Sequence, residues 1–438
     1  MLKFHGDTMK KLITLALAAA FVASSYAPAS AVEVQMDGRY QFQFQSASIG
    51  FKGDNKDAAA QRLRVGMTFT ANENLSGYFQ MQAGTSQWGD GPSGGAFNVE
   101  SGSAFDVRQA YIDWTVPSTD IKVRMGLQSI SLPGFVTLSP VMDDLIKGGI
   151  TVDVPVCDNF GLTGFWNRPY DTGYDVKSNQ LDVFGLVGKA SFDGLTVAPW
   201  IVYGSKDEGA ISDDFQRNLV KDAKGNVVIA GVSAEWAPFD PFTFAVDTAY
   251  GAAMYSTNGV RNQEGWYAAA KASYALDFGT PAIMGWFASG DNKGDQMYSG
   301  QLPAFYGDFN GTAMFFDNAF GPLGGNRYTV GGTWGVGAQL NGVSFVEGLS
   351  HDFSVTYISG TNSKYNAENS VTNDDHYSYL TTEDSLVEFG FLSTYKIYKN
   401  LTAALDLSYI VEDFDTKHRS VKSFENDWAA NLCFEFRF

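Results

Sequence analysis

Arg39, Arg62, Arg64, Arg108, Lys122 and Arg124 are cations whose spacing could do electrostatic work. Arg62 and Arg64 are two apart, as are Lys122 and Arg124, so in extended chain each pair projects to one side. An acidic pair, Asp143-Asp144, follows inside a long connection, Ser131 to Lys147, that also carries Leu132, Phe135, Val136, Leu138, Val141 and Met142. Fixed positive charge opposite fixed negative charge breaks no bonds. Across a narrow aqueous passage it makes a transverse field that orders water and sorts solutes by charge and dipole. The plainer reading is that these arginines only solvate a polar face or pair with nearby acids.

Bond-making chemistry has little to work with. Past the N-terminal leader the histidines are His351, His376 and His418, and no Ser/His/Asp set shares a strand face near a membrane boundary. Cys157 and Cys433 lie far apart, are too few for a disulfide framework and show no metal-ligand spacing. The reading leans toward two unpaired thiols. The glycines at 331–337 sit inside a strand pattern, not between a strand and a helix, so no phosphate loop is expected. The pairs Asp213-Asp214 and Asp374-Asp375 are either a solvated surface or weak Ca²⁺ or Mg²⁺ sites bridging to lipopolysaccharide phosphates. No other cofactor is expected.

The elements that must carry the cations are strands. From Val34 to Gln45, Val34, Met36, Gly38, Tyr40, Phe42 and Phe44 alternate with Gln35, Asp37, Arg39, Gln41, Gln43 and Gln45. A soluble core has no use for the second set, whereas a hydrated lumen accepts it. The next strand opposes Arg62, Arg64, Gly66, Thr68 and Thr70 to Leu63, Val65, Met67 and Phe69. The third opposes Ser76, Tyr78, Gln80 and Gln82 to Leu75, Phe79 and Met81. A fourth, Val107 to Trp114, does not alternate cleanly, and a bulge or a protein contact would each explain it. The fifth puts Lys122, Arg124, Gly126 and Gln128 inward.

The rhythm continues to the end of the chain. Short turns are read at 72–74, 117–120, 157–159, 193–194, 238–241, 277–279, 341–342 and 398–400. Long polar stretches at 206–226, 291–326, 361–382 and 413–425 are read as outer loops. Eight short turns plus two termini on one side predict 18 strands, or 16 if one hairpin near 150–167 or 341–350 is misread. Barrels of about 16–18 strands hold an aqueous channel.

The two ends assign a compartment. The last residues, WAANLCFEFRF, alternate to the terminal Phe438 and place Phe434 and Phe436 on the same apolar face. Met9-Lys10-Lys11, the apolar run Leu12 to Val22 and Ala29-Ser30-Ala31 read as a cleaved secretory signal over residues 1–31, with Met9 an alternative start. Residues 32–438 then form one domain. Without Lys3, Lys10, Lys11 and Asp7 it has 27 basic and 47 acidic residues, a formal charge of −20, which argues against nucleic-acid binding. It has no apolar run long enough for a membrane helix, so it can span a bilayer only as a closed barrel.

Signal, repeated strands, inward-loop candidate and terminal Phe together resemble the homotrimeric outer-membrane porin family known from sulfate-reducing bacteria. That resemblance, not the periodicity, implies a homotrimer in the bacterial outer membrane. It also implies a closing strand read by the barrel-assembly machinery and contact with lipid and lipopolysaccharide. It gives Ser131–Lys147 the character of a constriction loop after the fifth strand, although the acidic motif of enterobacterial porins is absent. The expected function is passive diffusion of ions and small hydrophilic solutes, with no enzyme activity. An 18-stranded channel selective for a sugar or carboxylate is the alternative, and a non-transporting adhesin or structural barrel a third reading. The overall charge favours cations and the basic wall anions, with a slight expected preference for anions because the eyelet is narrow and poorly screened.

Overall fold

A computed structural model describes residues 32–48, 55–89, 105–172, 179–210, 219–220, 222–292, 298–315, 330–364, 380–417 and 425–438. The expected signal at 1–31, His376, His418, Asp213-Asp214 and Asp374-Asp375 lie outside the described residues.

Alternation in the sequence becomes strand after strand. The first six are β1 (Glu33–Ser48), β2 (Asn55–Asn72), β3 (Leu75–Gln87), β4 (Phe105–Thr115), β5 (Lys122–Ile130) and β6 (Leu145–Cys157). Then come β7 (Phe160–Asp171), β8 (Gln180–Phe192), β9 (Leu195–Lys206), β10 (Gly225–Phe239), β11 (Phe242–Tyr255), β12 (Asn262–Tyr274) and β13 (Thr280–Ala288). A two-residue β14 (Tyr298–Ser299) precedes β15 (Thr333–Val346), β16 (Leu349–Gly360), β17 (Ser385–Tyr398), β18 (Leu401–Asp413) and β19 (Asp427–Arg437).

Each long strand pairs antiparallel with the next, and β13 pairs directly with β15. β14 only borders β12, in parallel. β19 returns to β1, from Arg39 opposite Arg437 to Ser48 opposite Trp428. Eighteen strands thus close an antiparallel barrel with no free edge, which satisfies the ladder hydrogen bonds without water.

Parity separates two surfaces. On β9, Ile201, Tyr203 and Ser205 are exposed while Trp200, Val202, Gly204 and Lys206 are buried. Val228, Val246, Tyr250, Trp266, Ile283 and Phe287 continue the apolar outer band. Trp236, Phe239, Phe278, Phe345 and Tyr398 stand out near the short turns, as an interfacial aromatic girdle does.

The interior is lopsided. On β8 to β13 the inward side chains are mostly apolar and buried, among them Val183, Trp200, Val202, Ile229, Tyr267 and Trp286. Two connections cover them. The β5–β6 connection contributes Leu132, Val136, Val141 and Met142, and the β13–β15 connection contributes Leu302, Phe305, Phe309, Met314 and Phe315. The first is the loop read from the sequence as inward. The second was assigned by composition to an outer loop over 291–326. Its apolar residues find no water-facing role and fill the barrel instead.

Two further readings are corrected. Asn341-Gly342 is not a turn but a bulge within β15, and the chain reverses at Glu347-Gly348. Both glycines have positive φ, 68° and 78°, so a local signal for a turn exists at each. The strand pattern read over the glycines at 331–337 begins later than expected: β15 starts at Thr333, and Val330 before it is buried.

Candidate functional site

The other side of the lumen is polar, and the register of β1, β2, β4 and β19 builds it. Arg39 lies opposite Arg64 on β2 and opposite Arg437 on β19. Gln41 lies opposite Arg62 and Glu435. Arg108 gets there by a different route. Gln80 pairs with Gln109 and Met81 with Val107, so Arg108 is the extra residue of a β-bulge. The bulge is what breaks the alternation of β4: it turns Arg108 inward and leaves Val107 exposed on the outside.

The partners of these cations differ. Arg62 donates from Nε and Nη2 to the Gln41 side-chain oxygen at 3.1 and 2.7 Å. Arg64 Nε donates to Gln82 at 2.6 Å. Among the described residues, neither has a carboxylate within ion-pair distance. Gln41 in turn donates to Glu435 at 2.8 Å. Arg39 approaches Glu435 at 3.8 Å, and Arg437 bonds the same carboxylate. Arg62 lies within electrostatic reach of Arg39 and Arg108, and Arg64 within reach of all three and of Asp144. Amide oxygens orient these guanidiniums without neutralising them.

The loop supplies the opposing charge at one point. Asp144 bonds Arg108 and also accepts from Ser129 Oγ at 2.6 Å. Its own N–H donates to Ser131 Oγ at 2.9 Å, and its φ of 47° fixes the corner. Asp143 does not join it. Its N–H donates to the Tyr306 carbonyl at 2.7 Å, and its carboxyl sits near Asp308 and Ser131. Burial pushes the Asp143 carboxyl above the usual range, with smaller contributions from Asp308 and Asp144.

Lys122 and Arg124 stand apart, toward the short turns. Arg124 is held by both oxygens of Asp113 at 2.6 and 2.8 Å and lies over the Tyr111 ring. Lys122 is exposed opposite Asp153 and lines a separate cavity with Lys189 and Asp120. The six cations read from the sequence are therefore one cluster of four and two outliers.

A cavity of about 410 Å³ opens beside the cluster, lined by Asp37, Arg39, Arg64, Gln80, Arg108 and Arg437 among others. Gly66 lets Tyr78 and the lining residue Asp37 pack closely: a Cβ there would come within 2.5 Å of the Tyr78 hydroxyl and 2.8 Å of Asp37. Arg437 and Glu435 are the site residues that the sequence reading left out. Their signal was present, because both hold inward parity on the closing strand.

Phe434 and Phe436 pair with Phe42 and Tyr40 on the outer side of the β1–β19 seam. Phe438 stacks on Phe436, and its backbone exchanges two hydrogen bonds with Gly38, at 2.9 and 3.1 Å. Both cysteines are free, Cys157 exposed and Cys433 buried.

No family model matches the chain, and no curated protein matches it. Solved structures do. A BenF-like porin from Pseudomonas fluorescens Pf-5 superposes with a TM-score of 0.58 at 10% identity, over 93% of this chain and 98% of that one. The fold is that of a porin. OpdK of Pseudomonas aeruginosa, solved with vanillate, gives 0.56 at 11% identity over the same shares. OccAB2 of Acinetobacter baumannii gives 0.57 at 12%, again over 93% and 98%. At such identities the likeness extends to the barrel and not to individual side chains.

Proposed function

We propose that this chain is a substrate-selective outer-membrane channel for small anionic solutes, carboxylates above all. One observation carries the reading: Arg62 and Arg64 face the lumen side by side, bonded to glutamines and not to acids. A carboxylate 4 Å from one such guanidinium gains about 4 kcal/mol at an effective dielectric of 20, before desolvation is counted. The apolar pack across the lumen leaves a passage with a charged wall and an oily wall, which suits an anion with an apolar body. Vanillate, named with OpdK, is an aromatic carboxylate, and the cavity beside Arg64 is of small-ligand size. A general diffusion porin is the weaker reading, since an open, fully wetted lumen would not need that pack.

The rest of the proposal follows the same architecture. The signal is cleaved, the barrel resides in the outer membrane as a homotrimer, and the assembly machinery reads the Phe-ended strand. Transport is passive and needs no cofactor. Planar-bilayer recording with chloride, then with benzoate-type anions, tests it. Anion-selective current blocked by micromolar to millimolar aromatic carboxylate supports the reading. Large, unselective current with no saturation returns it to a general porin.

A further inference from the structure

Two buried acids of the barrel wall pair with no cation among the described residues and have an unusual set of donors. Asp247, on the inner face of β11, accepts from the N–H of Phe135 at 2.9 and 3.1 Å, Val136 at 2.7 Å and Thr137 at 3.2 Å. Glu388, on the inner face of β17, accepts from the N–H of Ala313, of Met314 at 2.9 Å and of Phe315 at 2.8 Å. Each carboxylate thus fills a concave nest of three successive backbone donors, a geometry that favours an anion. Ser233 Oγ donates to the Pro133 carbonyl at 2.9 Å, and the Tyr267 hydroxyl meets Thr137 Oγ1 at 3.0 Å, so the first loop is anchored around its nest.

The two loops are also joined to each other. Phe305 N–H donates to the Val141 carbonyl at 3.0 Å, Asp143 N–H to Tyr306 at 2.7 Å and Asp308 N–H to Ser139 at 2.9 Å. Leu138 N–H donates to the Asn310 side chain at 3.0 Å. Asp144, which meets Arg108, lies at the end of the first loop.

We infer that Asp247 and Glu388 are positioning residues for the passage. They clamp the two loops as one strut, and the strut sets where Asp144 and the apolar pack stand against Arg39, Arg62, Arg64 and Arg108. Neither acid touches the arginines, so each acts on selectivity through the loops. The role in selectivity rests on the channel reading, whereas the clamping itself does not.

The test uses full-length protein carrying Asp247→Asn, Glu388→Gln or both. Backbone hydrogen exchange is followed over 131–144 and 300–315, and the reversal potential is measured in a bilayer. Asp247→Asn is expected to speed exchange at least tenfold around 135–137 and also across the bridge at 304–308. Glu388→Gln is expected to do the converse, and both to reduce anion preference, with the double variant showing less than the sum. Faster exchange confined to the loop beside the changed acid, with conductance unchanged, overturns the strut. If a wall variant fails to fold, Asn310→Ala cuts only the exposed bond between the loops. It should produce a smaller change of the same kind, and identical exchange and selectivity would overturn the inference. A silent wild-type channel would sink the channel reading while the exchange data still decide whether the acids clamp.

Discussion

Asp144 and Arg108 meet on one wall of the lumen, across β5, because two local irregularities aim them at each other. The arginine is the extra residue of a bulge in β4, and the aspartate is a non-glycine corner with positive φ. Ser129 Oγ donates to the carboxylate and Ser131 Oγ accepts from the Asp144 N–H, so the aspartate is held in place without Arg108. Arg108→Ala should therefore change thermal stability by less than about 1 kcal/mol, the usual worth of an exposed pair. It should still lower anion preference, because Asp144 then stands uncompensated in the passage. A melting curve beside a reversal potential separates the two effects.

The closing seam makes a second prediction. Deleting Phe438 removes both hydrogen bonds to Gly38 and the ring stacked on Phe436. Most of the variant should remain in the unfolded band on a heat-modifiability gel, while wild type migrates as a folded barrel. Equal folded fractions would show that the terminal ring is dispensable for closure.

Asp143 gives the channel a pH dependence of known sign. Its carboxyl is raised by burial, facing Asp308, Asp144 and Ser131. The folded state keeps this proton at a pH where the unfolded chain has lost it. Its contribution to stability therefore grows as pH falls through the raised value toward the ordinary carboxylate range. Protonation also removes a negative charge near the passage, so anion preference should strengthen on mild acidification. Asp143→Asn should flatten the onset of that change, which a reversal-potential titration would register.

Thiol counting checks the lumen parity of β19. Cys157 is exposed and Cys433 buried on the inner side of the closing strand. A maleimide should label one thiol in the folded barrel and two after denaturation. Cys433 lies opposite Gln43 on β1, whose side-chain amide donates to Asn431 at 3.2 Å, and rapid labelling of both thiols in the native state would contradict that packing.

Much of this architecture was legible in the residues. Strand parity places Arg39, Arg62 and Arg64 on the inner face directly, since a period of two leaves no choice once the apolar side meets lipid. The apolar character of 131–144 marked an inward loop. Arg108 was harder, because a bulge shifts parity by one and erases the pattern that would announce it. The second inward loop was hidden by its flanks: Gly- and Asp-rich sequence around 302–315 outweighs Leu302, Phe305, Phe309 and Phe315 in any composition window. Nothing in the sequence marks Asp247 and Glu388, because their partners are backbone N–H groups, which carry no residue signature. Asp143 and Asp144 are adjacent, and only the turn between them decides which one faces the arginines.

Arg62 and Arg64, as proposed, make this barrel prefer anions. The most direct measurement is the zero-current potential across a salt gradient for wild type and for Arg62→Glu with Arg64→Glu. The wild type should be anion-selective, and the double variant's anion-to-cation permeability ratio should fall roughly tenfold or more, about 1.4 kcal/mol. The same double variant should lose block by aromatic carboxylate. An unchanged potential in a correctly folded variant would mean that these arginines do not line the passage.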